Sequence, residues 1–200
     1  MSILISDTSA WIKKIPSEQL QDADFVRIVN FFVFHSPCKG LSAMGVSLAE
    51  YGWSNPWKSP FYLNKQLRQA ATNYELLFSA QNRTTKKNQS AVENKEAKKD
   101  MMEMALEKSG LKDHFPHSFE KEVICFRNNK NNQFISAFYH IRNALAHGRF
   151  CIQNVNGEDF FAFEDVGKNK VSARMILRKS TLLQWIELIE GGEKPYQRAQ

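Results

Sequence analysis

Apolar side chains recur every three to four positions through most of this chain, and the period falls to two only after residue 148. Leu20, Phe25, Ile28, Val29 and Phe32 predict a first helix, opened by Pro16-Ser17 and ended by Ser36-Pro37-Cys38-Lys39-Gly40. Leu41, Met44 and Leu48 predict a short helix to about Tyr51, followed by a loop over Gly52–Pro60 that two prolines break. Leu63, Leu67, Ala70, Tyr74 and Leu77 predict a helix ending near Ala80. Ser90-Ala91-Val92-Glu93 reads as a capping box for a helix running to Ser109-Gly110, and Ser118 caps another through about Asn128. After the break at Asn128–Asn132, a strongly periodic helix is expected from about Gln133 to His147. Arg149–Val155 and Asp159–Glu164 then alternate around Asn156-Gly157, a dipeptide that supplies the positive φ angles of a tight hairpin. A further strand near Val171–Leu177 extends the ribbon. Ser180 or Thr181 caps a closing helix that Gly191-Gly192 stops.

These elements predict a mainly α fold: a helical bundle with a small C-terminal β-hairpin or ribbon followed by a closing helix. The 200 residues suit one domain. Its expected parts are N-terminal helices at about 17–80, a polar basic connection at about 81–89, core helices at about 90–148, the ribbon at about 149–177 and the closing helix at about 180–190. A hydrophobic fraction of 42%, with 15 Phe, is enough to bury a core.

A formal charge of +6 favours polyanionic partners such as RNA. Arg83, Lys86, Lys87, Lys95, Lys98 and Lys99 form the densest basic cluster, the best candidate for a phosphate-tracking surface, though it reads more simply as a solvated face. Trp53 and Trp57 fit base stacking or, more simply, loop anchors on the core. Cys38, Cys125 and Cys151 have no Cys-x-x-Cys spacing and read as reduced thiols of an intracellular protein. His114-Phe-Pro-His117 reads as loop, since no Cys or carboxylate cluster joins it to complete a metal shell. No metal and no cofactor is expected. No signal pattern opens the chain, and no apolar run reaches the ~20 residues of a membrane span, so a cytoplasmic protein without a membrane partner is expected.

The stretch Tyr139-His140-Ile141-Arg142-Asn143-Ala144-Leu145-Ala146-His147-Gly148-Arg149-Phe150 carries the chemistry. It holds a guanidinium to bind phosphate, a carboxamide, and an imidazole to move a proton. On a helical wheel Phe134, Phe138, Ile141 and Leu145 form an apolar stripe. His140, Asn143 and His147 gather opposite it, with Tyr139 beside them and Arg142 on the flank. Arg142 and His147 diverge by about 140° on a regular helix, so an uncoiled last turn or a second subunit must bring them together. The bland alternative is that His147 is a helix-end residue favoured by the macrodipole, Gly148 its left-handed cap and Arg142 a surface ion-pair partner.

The word Ile-Arg-Asn-Ala-Leu-Ala-His-Gly resembles the Arg-x4-6-His signature of the HEPN superfamily, in a bacterial and plasmid-encoded branch. The likeness covers about residues 118–190, with helices 118–128 and 133–147 resembling the central HEPN pair. It implies a metal-independent endoribonuclease in which Arg142 binds the scissile phosphate, His147 acts as general base or general acid, and Asn143 orients His147 or donates to phosphate. Tyr139, His140 and Arg149 are supporting candidates by proximity. The resemblance further implies a homodimer with a composite site, a toxin or phage-defence role and a cognate antitoxin. The alternative is a HEPN module that binds RNA or nucleotide, or mediates dimerisation, without catalysis.

Overall fold

Within the segment expected to be a helix over about 118–128, Glu122–Asn128 form a strand, and that difference decides the architecture. The computed structural model describes residues 19–38, 43–57, 63–71, 74–80, 101–113, 122–128, 132–167 and 170–193. Five strands form one mixed sheet: β1 (Tyr74–Ala80), β2 (Glu122–Asn128), β3 (Phe150–Val155), β4 (Glu158–Gly167) and β5 (Lys170–Arg178). Their order is β1-β2-β5-β4-β3, with β1 parallel to β2 and every other pairing antiparallel. The mainly α, HEPN-like bundle is therefore corrected to an α/β fold built on a central sheet.

The reason is burial on both faces. In β2 the run Glu122–Phe126 is buried at every position, so the alternation that marks a half-exposed strand is missing. Ile124 and Phe126 join one core cluster, whereas Val123 and Cys125 join the other. In β4, Phe161 and Phe163 likewise face the first cluster, and Phe160 and Ala162 the second. What looked like an appended ribbon supplies β3, β4 and β5, with β5 at the centre of the sheet and β3 on its edge. The helix expected through Ala80 stops earlier: α2 covers Leu63–Ala70, and Tyr74, Leu76 and Leu77 continue as β1.

Helices α1 (Ala23–Val29), α2, α4 (Gln133–Ala146) and α5 (Lys179–Gly191) share the first cluster; α3 (Met101–Ser109) closes the other face through Met102 and Leu106. Asp22 caps α1, its side chain accepting from the Asp24 amide at 2.8 Å, and the helix runs on as a π-helical turn over Asn30–His35. Residues 43–57 form turns rather than the short helix expected to about Tyr51, with Gly45 and Gly52 both at positive φ. Trp53 anchors this segment on α5: it is buried and donates Nε1–H to the Ile189 carbonyl at 3.0 Å. Trp57 is partly buried against the same core. Both tryptophans are anchors.

Helix α4 starts where the Asn128–Asn132 break predicts. The Asn132 carboxamide caps it, accepting from the amides of Phe134 at 2.8 Å and Ile135 at 3.2 Å. Phe134 and Phe138 are buried against Trp185 and Ile141 lies buried in the same cluster, each such side chain contributing roughly 1.5–3 kcal/mol. At the other end the amide of Gly148 bonds to Leu145 O at 3.1 Å and that of Arg149 to Ala144 O at 2.7 Å. With Gly148 at φ 64°, this is a Schellman cap that turns the chain straight into β3. The Asn156-Gly157 hairpin forms as expected, with φ of 54° and 86°.

Candidate functional site

The polar side of α4 does not face water along its length. His140 is 1% exposed and reaches two different strands. Its Nδ1 lies 2.6 Å from Asp165 Oδ2 on β4, and its Nε2 2.9 Å from the Arg127 carbonyl on β2. A carbonyl oxygen only accepts, so Nε2 carries a proton. Ser136, one turn earlier, donates its hydroxyl to Asn128 Oδ1 at 2.7 Å. This stripe of α4 is thus the side clamped to the sheet, and His140 is a clamp rather than an accessible acid or base. Tyr139 is half-buried and stacks edge-on against His140 at 5.2 Å.

From this clamp the polar chain continues outward. Asn143 donates Nδ2–H to the same Asp165 Oδ2 at 3.2 Å, and its Oδ1 accepts from Arg142 NH1 at 3.0 Å. Both ends of the carboxamide are therefore engaged, so Asn143 orients the Arg142 guanidinium rather than the His147 ring. Arg142 remains half-exposed. Its Nε is buried with no acceptor among the described residues.

His147 follows as the C-cap of α4, with φ −98° and ψ 5°, and its side chain is exposed. The helix stays regular to this point, the His147 amide bonding to Asn143 O at 3.0 Å. No uncoiled turn swings His147 toward Arg142. Arg142 instead bends onto Asn143, which lies one helical turn below His147 on the same face.

Arg149 belongs to a different cluster. It pairs with Glu164 Oε1 at 3.2 Å, and Glu164 also holds Arg174 through Nε at 3.0 Å and NH2 at 2.9 Å. Glu164 and Asp165 are consecutive in β4 and so project to opposite faces of the sheet. Arg174 further donates to the carbonyls of Leu111 at 2.7 Å and of Lys112, tying β5 to the end of α3. Burial pulls the Arg174 guanidinium below its ordinary value, and the Glu164 charge opposes that shift. Arg149 is thus committed to a buried carboxylate on the α3 face, away from Asn143 and Asp165.

Comparison with known proteins finds no matching family model, no matching characterised protein and no matching solved structure.

Arg83, Lys86, Lys87, Lys95, Lys98 and Lys99 lie outside the described residues, as do His114 and His117. All three cysteines are free and buried, and burial pushes the Cys125 thiol up to about 12. Among the described residues no group of three or more His, Cys, Asp or Glu is placed to share a metal ion. No helix among them is long and apolar enough to cross a membrane. A groove of about 450 Å³ runs between α2 and α5, lined by Gln66, Gln69, Ala70, Gln184, Glu187 and Leu188; no α4 residue borders it.

The residue that sequence reasoning missed is Asp165. The signal was present in Phe160-Phe161-Ala162-Phe163-Glu164-Asp165: two adjacent carboxylates inside an apolar strand each need a buried partner, one per face. The helical wheel also set His140 on the solvent side, because it assumed that α4 had a single apolar face.

Proposed function

We propose that the protein is a metal-independent endoribonuclease working at the C-terminal end of α4. Arg142 holds the scissile phosphate and His147 moves the proton of the ribose 2′-hydroxyl or of the leaving 5′-oxygen. Asn143 positions Arg142. The observation that carries the reading is the 3.0 Å contact that turns the Arg142 guanidinium onto Asn143, whose face also bears the exposed His147 imidazole. A formal charge of +6 favours the approach of RNA. The short likeness to the HEPN word Ile141–Gly148 supports the same chemistry, now without a helical bundle behind it.

A proton-transfer side chain contributes ~10²–10⁴-fold and one charge-stabilising donor ~10²–10³-fold. Cleavage of a defined RNA by the wild-type chain, in EDTA, is expected to leave 2′,3′-cyclic phosphate ends and to spare DNA. His147→Ala is expected to abolish it. Activity that disappears in EDTA and returns with Mg²⁺ rejects the mechanism. As a toxin or phage-defence effector, with a homodimeric site and a cognate antitoxin, the protein would arrest growth on expression, and His147→Ala would relieve that arrest.

One feature favours a second reading, an RNA-binding module without catalysis. The exposed His147 ring has no hydrogen-bond partner among the described residues to fix its tautomer. RNA binding without cleavage, unchanged by His147→Ala, selects it.

A further inference from the structure

We infer that Asp165 is the positioning residue for the Arg142 guanidinium, acting through the Asn143 carboxamide. The inference rests on reading Arg142 as the phosphate-holding group. Four contacts in series carry it. The Arg127 carbonyl accepts from His140 Nε2 at 2.9 Å, and His140 Nδ1 meets Asp165 Oδ2 at 2.6 Å. Asp165 Oδ2 accepts from Asn143 Nδ2 at 3.2 Å, and Asn143 Oδ1 accepts from Arg142 NH1 at 3.0 Å.

The polarity of the chain follows from which groups can donate. A guanidinium only donates, so Asn143 turns its oxygen outward to Arg142 and its NH2 inward to Asp165 Oδ2. A flipped amide would set oxygen against oxygen at Asp165 and N–H against N–H at Arg142. The carboxamide facing Arg142 is therefore held from behind by a buried pair, the side chains of His140 and Asp165 being 1% and 7% exposed.

Arg142 needs such a hold. Its Nε has no acceptor among the described residues, so the Asn143 contact is what selects one orientation of a rotamer-rich side chain. Asp165 sits beside an irregularity of the sheet: the β4–β5 register shifts directly after it, with Ser172 as the additional residue on β5. Such irregularities re-aim neighbouring side chains.

The discriminating substitution is Asp165→Asn, which keeps the shape but lets either an oxygen or an NH2 face Asn143. The full-length chain is followed by ¹⁵N NMR of arginine Nε–H groups, with the Arg142 signal assigned through Arg142→Lys. Wild type is expected to show a solvent-protected Arg142 signal. Asp165→Asn is expected to lose it while the remaining backbone spectrum persists. Asn143→Ala leaves the His140–Asp165 pair in place and is expected to lose the same signal, which keeps the test open if Asp165→Asn does not fold. An Arg142 signal unchanged in either variant overturns the inference.

RNA cleavage supplies the second readout. A displacement of about 1 Å in a site can cost on the order of 10²-fold in rate, so Asp165→Asn should lower kcat within that range. It should add almost nothing in an Arg142→Ala background, because the two act through one group. A full multiplicative loss in that background overturns the inference. Wild-type protein that cleaves no RNA, yet loses the Arg142 signal in both variants, sinks the ribonuclease reading and leaves the positioning role standing.

Discussion

Glu164 and Asp165 are neighbours in one strand, both buried, and they meet opposite kinds of partner. On the α3 face Glu164 is held by two guanidiniums, Arg174 and Arg149. On the α4 face Asp165 is held by one imidazole and one carboxamide. The difference lies in what survives when a partner is removed. A guanidinium cannot shed its charge, whereas a carboxylic acid can take up a proton and become neutral. The Glu164 cluster is therefore the stiffer structural element, and the Asp165 chain the one that tolerates rearrangement.

The largest effect is expected from Glu164→Gln. It strips the negative charge that faces the buried Arg174 and leaves it neutral acceptors such as the Leu111 and Lys112 carbonyls, at a cost of about 3–5 kcal/mol typical of a broken buried pair. Urea unfolding measures it; a loss below about 1 kcal/mol would mean that Glu164 is not the hub. His140→Ala comes next, at about 3 kcal/mol for the broken buried pair with Asp165. Urea unfolding again measures it; a loss below about 1 kcal/mol would mean that the clamp to β4 and β2 contributes little.

Arg149→Ala should matter least within these clusters, at about 1 kcal/mol or less, because its side chain is 35% exposed and Glu164 keeps Arg174. RNA cleavage should be unchanged as well; a drop matching that of Arg142→Ala would put both guanidiniums in one site. The smallest change is expected at Glu122, a third buried carboxylate, whose Oε1 accepts from the Arg178 amide at 2.8 Å. Burial raises its pKa above the ordinary glutamate value of 4.5. Because the folded state holds this proton more tightly, the group's contribution is complete below that ordinary value and fades as pH rises through the raised one. Glu122→Gln removes the fading, so its Tm relative to wild type should improve between about pH 4 and pH 7. A constant difference would refute the assignment.

The comparison also shows how far the chain's pattern could be read. Helix α4 was legible because Phe134, Phe138, Ile141 and Leu145 form a stripe between an asparagine cap and a glycine stop. The hairpin was legible because Asn156-Gly157 tolerates the backbone its turn requires. Strand β2 was not, since a strand covered on both sides shows no alternation and its short apolar run resembles a piece of helix. The β-branched pair Val123-Ile124 beside Phe126 was the cue for a strand. Within the site, Arg142, Asn143 and His147 stood out by residue type and spacing. Asp165 did not, because its relation to His140 spans 25 residues and exists only once β4 lies beneath α4.

Only His147, Gly148 and Arg149 separate the end of α4 from the start of β3. The imidazole just before Gly148 is carried at the vertex of that reversal, like the tip of a lever whose two arms are fixed in the core. Its bearing is inherited from the way helix and strand meet. A replacement at Gly148 that resists the φ of 64° would therefore swing the ring without touching any atom of it.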